Sequence, residues 1–169
     1  MILTDDASMM LHLRISQYME AVYHAAKAGK EDLAVDAWLL LIQHCGVSAA
    51  NDCIEVIFSM LAEEGLLSGA MLCSEAMQDA LQAEEAGGGK KRFIFLSHDA
   101  ITLGIRQCVV APREMLGSWV VQGSEGAEKK HRAELIEGML ALARAATVCS
   151  QVSFTCMSPP QSFPLCLIE

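Results

Sequence analysis

Among the 169 residues, the densest set of side chains able to do chemistry is Ser97-His98-Asp99. Histidine can serve as general base to a cysteine thiol. An enzyme built from this chain would therefore use His98 as base, Asp99 as its orienting group and Cys108 (or Cys45) as nucleophile, in a small hydrolase or transferase. Two features argue against it. Neighbouring side chains seldom orient one another, because successive positions point in different directions. No spacing places Cys108 beside His98, and Asp99 reads equally well as a turn or cap residue. No catalytic residue is assigned on sequence, and the expectation leans away from an enzyme.

Metal and phosphate chemistry fare no better. There is no CxxC and no histidine pair at i,i+4, the spacings that bring ligands to one ion. Glu20 and His24 stand at i,i+4 and read as an exposed helix pair. His44 and Cys45 are adjacent, and Cys53 is too sparse a third partner. Gly89-Lys90 fails the phosphate-loop pattern, since Glu84 occupies its first glycine position and Lys91 its Ser/Thr position. His131, after Lys129-Lys130, reads as solvated. No metal and no cofactor is expected.

The stretch Leu39 to Ile54, with Gly46-Val47-Ser48 as a turn, looks like a helix-turn-helix, and Ala62 to Leu67 resembles the end of a winged-helix recognition helix. That resemblance implies a transcriptional regulator. The second helix, however, offers Asn51, Asp52 and Glu55, with no Lys or Arg to neutralise phosphates. Direct nucleic-acid binding is not expected.

Charge is the most unusual property of the chain. It carries 12 Lys+Arg against 21 Asp+Glu, a formal charge of −9. From Glu31 to Glu85 eleven acidic residues occur and no Lys or Arg at all. Ten of them form the candidate binding set: Glu31, Asp32, Asp52, Glu55, Glu63, Glu64, Glu75, Asp79, Glu84 and Glu85. Ordinary solvated helices mix both signs at i,i+4, so an uncompensated acidic face suits the steering of a basic protein partner. The competing use is plain solubility.

Hydrophobic residues make up 53% of the chain, far from the composition of disorder. The ten methionines are flexible core fillers that also serve adaptable surfaces. The excess of apolar surface makes a homodimer a further expectation. Seven cysteines cannot all pair within one chain. The N-terminal stretch lacks a basic and apolar leader pattern, and the longest strongly apolar run, Trp38 to Ile42, is far too short for a membrane span. A cytoplasmic location without membrane contact is the expectation.

The elements that would position these groups read as an α+β fold. Residues 1–86 form an acidic four-helix lobe. Thr4, Ser48 and Ser68 are read as N-caps, and Gly29, Gly46 and Gly65 as stops. The second helix, apolar on most sides, is placed at the centre. Residues 87–91 (Gly-Gly-Gly-Lys-Lys) read as a hinge. Residues 92–169 form a small α+β lobe: a mostly antiparallel sheet from 92–97, 103–111, 117–122 and 152–156, with one packed helix over 129–146. The two lobes can pack as one domain. The expected function is a non-enzymatic cytoplasmic protein-interaction module, of inhibitor, immunity, chaperone or anti-defence type, showing its acidic helical face to a basic partner.

Overall fold

A computed structural model describes residues 3–110 and 125–145. Six helices account for its regular structure: α1 (Leu3–Lys27), α2 (Glu31–Cys45), α3 (Val47–Glu63), α4 (Leu67–Ala86), α5 (His98–Val110) and α6 (Glu125–Ala145). α1 packs chiefly on α2 and α3 on α4, α5 bridges α3 and α6, and α6 reaches back to α4.

The α+β expectation is overturned, because the described residues contain no strand. Residues 103–110, read as a strand, belong to α5. The segment 92–97 does alternate as a strand would, with Phe93 and Phe95 exposed and Ile94 and Leu96 buried. No second strand among the described residues pairs with it; Asn51 of α3 instead holds the Phe93 carbonyl at 3.0 Å. The expected strands at 117–122 and 152–156 lie outside the described residues.

Helix ends follow from turn chemistry. Gly29, Gly65 and Gly88 take φ of +67°, +74° and +90°, where a side chain is strained. Past each, an N–H reaches back five residues: Lys30 to Ala25 at 2.9 Å, Leu66 to Leu61 at 2.8 Å, Gly89 to Glu84 at 2.9 Å. The carbonyls orphaned at the ends of α1, α3 and α4 are thereby satisfied. The glycines of the predicted hinge are thus bonded into the end of α4.

The expected caps shift by a residue. α3 begins at Val47 and α4 at Leu67, so Ser48 and Ser68 sit inside their helices. α4 is capped from another helix, since the Gly69 N–H donates to the Glu31 carboxylate. A Cβ at Gly69 would stand 2.7 Å from Glu31 Cγ, so a larger residue there would displace the capping side chain. Ser97 caps α5 locally by accepting the Ala100 N–H at 3.1 Å.

The core lies around α3, not α2. Ala50, Ile54, Ile57, Phe58, Leu61 and Ala62 of α3 are all fully buried. On α2 only Ala34, Trp38 and Leu41 are buried, while Leu33, Leu39 and Leu40 stay exposed. A helix apolar on every side carries no phase in its sequence, and the bulk of Trp38 settles the question. Each large side chain buried this way contributes about 1.5–3 kcal/mol. Ala100, Ile101 and Cys108 of α5 and Leu135, Met139 and Leu142 of α6 join the same buried cluster.

Candidate functional site

The ten candidate carboxylates meet different fates. Glu31 is half-buried against α4. Burial pushes its carboxyl above the ordinary value of 4.5; the Gly69 N–H opposes this, Asp32 adds to it, and His131 opposes it. His131, read as solvated, is in fact buried. Glu64 pairs with Lys27 of α1, and this contact raises the lysine pKa. Glu55 and Glu84 are partly covered, and one buried oxygen of Glu84 lacks a hydrogen-bond partner. Asp32, Asp52, Glu63, Glu75, Asp79 and Glu85 remain exposed.

Two of these exposed groups, Glu75 and Glu85, share a furrow between α4 and α6. One part, of about 510 Å³, is lined by Met71, Glu75, Gln78, Leu81, Gln82 and Glu85 of α4, by Lys91 to Ile94, and by Gly138, Ala141 and Leu142 of α6. A smaller part, of about 190 Å³, runs between Ser68, Met71, Leu72 and Glu75 on one side and His131, Glu134, Leu135 and Gly138 on the other. Met71, Glu75 and Gly138 line both parts, so they form one continuous depression. Residue numbers rise together along its two walls, so α4 and α6 run parallel here. Its floor is apolar, and Leu72 (49%) and Phe93 (50%) expose large hydrophobic surface at its edges. Lys91 Nζ stands 5.5 Å from the Phe93 ring centroid, a favourable cation–π position.

Glu134, Lys91, Arg92 and Phe93 were missed by the sequence analysis. Their companions on α4 carried a signal: positions 71, 75, 78, 82 and 85 recur at helical spacing with polar and apolar types mixed, the mark of a half-covered stripe.

A second cleft, of about 590 Å³, lies where α1 passes the α2–α3 corner. Leu11, His12 and Ile15 face Cys45, Ser48, Asp52 and Cys53 across it. Burial raises the pKa of both thiols, which lowers the thiolate fraction that nucleophilic chemistry needs.

The candidate enzyme residues are not brought together. His98 and Asp99 open α5 on an exposed face, while Cys108 is buried ten residues along the same helix, roughly 15 Å of rise away. Burial pushes the Cys108 thiol up to about 11 against the opposing charge of Arg132. Its Sγ faces Met139 Sδ at 3.9 Å. Asp99 instead occupies the first turn of α5, where the helix dipole favours a carboxylate.

Asn51, the base-reading candidate of the helix-turn-helix resemblance, is engaged with the Phe93 backbone, and the apolar stripe of α3 is buried in the core. Among the described residues no group of three or more His, Cys, Asp or Glu side chains is gathered as a metal ion would need. No helix there is long and apolar enough to cross a membrane. Comparison with protein-family models, curated proteins and solved structures finds no match for the chain.

Proposed function

We propose that the chain is a non-enzymatic protein-interaction module, of inhibitor, immunity, chaperone or anti-defence type, that uses acidic helical surface to capture a basic protein partner. The observation that carries this reading is the exposure of Asp32, Asp52, Glu63, Glu75, Asp79 and Glu85 on three helices whose span, from Glu31 to Glu85, contains no Lys or Arg. Exposed like charge without basic neighbours on the same helices produces a field that speeds encounter with an opposite surface and fades within a Debye length of about 8 Å at physiological salt. A reducing cytoplasm suits the four described cysteines, which are free thiols.

The test begins with a partner captured from native lysate and identified, followed by association kinetics at low and high salt. Neutralising the six exposed carboxylates together (Asp to Asn, Glu to Gln) should slow association at low salt at least tenfold and flatten its salt dependence. An unchanged rate and slope would leave the carboxylates as solubilising groups and end this reading.

A further inference from the structure

We propose that the furrow between α4 and α6 is the seat of one amphipathic helix from the basic partner, laid parallel to α4 with its N-terminal half over Glu75 and Glu134 and its C-terminus at Lys91 and Arg92. The inference rests on the interaction reading above and names the part of the partner that is held.

Two observations point to a helix. From Ser68 to Glu85 the wall offered by α4 spans about 26 Å at 1.5 Å per residue, the length of a helix of four to five turns. The floor, with Met71, Leu81, Ile94 and Leu135 buried beneath exposed Leu72, is apolar and includes an adaptable thioether. An amphipathic helix is the element that lays one apolar face into such a groove.

The charges set the direction. Glu134 lines only the part of the furrow nearer the α4 start, Glu75 lines both parts, and exposed Asp79 stands one turn along from Glu75, outside the lining. Lys130 Nζ lies 3.7 Å from Glu134 Oε1 across a solvent-exposed pair, so Glu75 is the stronger anchor. At the other end stand Lys91 and Arg92, offset in part by Glu85. A helix is positive at its N-terminus and negative at its C-terminus. The parallel orientation matches the side-chain charge at both ends, and Lys or Arg in the first turns of the guest adds contact with Glu75 and Glu134, at some cost to the guest's own helix dipole.

Two fluorescein-labelled 18-residue probes of Leu, Ala, Lys and Glu test this against the full chain by anisotropy at low salt. One carries Lys in its first half and Glu in its second; the other reverses them. The Lys-first probe should bind at least tenfold more tightly. Glu75→Gln and Leu72→Glu, both at exposed positions, should each weaken it at least fivefold, while Asp52→Asn with Glu63→Gln should leave it within twofold. Equal affinity for the two probes would overturn the proposal, as would losses that follow Asp52 and Glu63 instead of Glu75 and Leu72. Binding that appears only as a chain dimer dissociates would give the furrow to a second copy. Blockage by a synthetic peptide of residues 146–169 would give it to the chain's own C-terminal segment. Either result also overturns the proposal. If neither probe binds while the sixfold neutralisation still slows the natural partner, the furrow inference fails and the interaction reading stands.

Discussion

Trp38 donates its indole N–H to the carbonyl oxygen of Cys73 at 2.9 Å, joining the middle of α2 to the middle of α4. Both residues are fully buried, so the bond is made without competition from water. Trp38→Phe removes the donor and leaves a void beside α4. A loss of about 1–3 kcal/mol is expected by urea denaturation. A loss below about 0.5 kcal/mol would mean that α2 and α4 are held by other contacts.

Glu31 is an acid held partly out of water to cap a helix of another segment. Its raised pKa means that the folded state binds the proton more tightly than the unfolded one. Stability from this group is therefore full below pH 4.5 and declines as pH rises through the elevated folded value. Glu31→Gln keeps an oxygen for the Gly69 N–H and removes the charge. Its Tm at pH 7 should equal or exceed that of the parent, with a flatter profile above pH 4.5. Glu31→Ala loses the cap and should cost about 1 kcal/mol. A Glu31→Gln protein as unstable as Glu31→Ala would show that the charge itself is needed.

Gly104 and Gly138 are both helical glycines at close approaches, yet they should respond differently to alanine. At Gly104 a Cβ would meet Met139 Sδ at 2.9 Å and Phe58 Cζ at 3.0 Å. The Phe58 ring is fully buried and cannot withdraw, so Gly104→Ala should destabilise by about 1–3 kcal/mol despite better helix propensity. At Gly138 the obstacle is the Met71 methyl at 2.7 Å, the free end of a flexible chain. Gly138→Ala should be neutral or slightly stabilising. Thermal denaturation of the two variants side by side decides the matter, and reversed signs would contradict the packing described.

Thiol reactivity should follow burial. Cys73 and Cys108 are fully buried and their pKa values are pushed up, that of Cys108 to about 11. Cys45 and Cys53, half-exposed in the α1 cleft, should be alkylated before Cys73 and Cys108. Mass spectrometry after timed iodoacetamide labelling at pH 8 would report the order. Early labelling of Cys108 would reopen the question of a reactive nucleophile.

The first half of the fold was legible because its stops and its stripes agree. Gly29 and Gly65 end helices as read, and Ile54, Ile57, Phe58 and Leu61, at helical spacing, form the buried stripe of α3. α5 was misread for a physical reason. Apart from Ile101, its buried face is made of Ala100, Gly104 and Cys108, small residues with little hydrophobic signal, while Val109 and Val110 point outward. The β-branched residues lent the segment a strand's composition. On α4 Met71, Met77 and Leu81 are buried while Leu72 stands exposed at the furrow. The partners of Glu75 across that furrow come from α6 and from residues 91–94, and no local pattern encodes such a meeting.

The brevity of the first three connections has a kinetic consequence. One residue, Gly46, separates α2 from α3, and residues 28–30 and 64–66 make the other two joints. α1 therefore finds α2, and α3 finds α4, with little loop to close. Topologies built from such near-sequence meetings fold in microseconds to milliseconds. Docking α6 against α4 requires closure over the whole of residues 87–124, a longer search. Refolding followed at Trp38, with Trp119 replaced, should be complete before protection appears in the α6 amides, so that the furrow takes shape only after the first four helices have met.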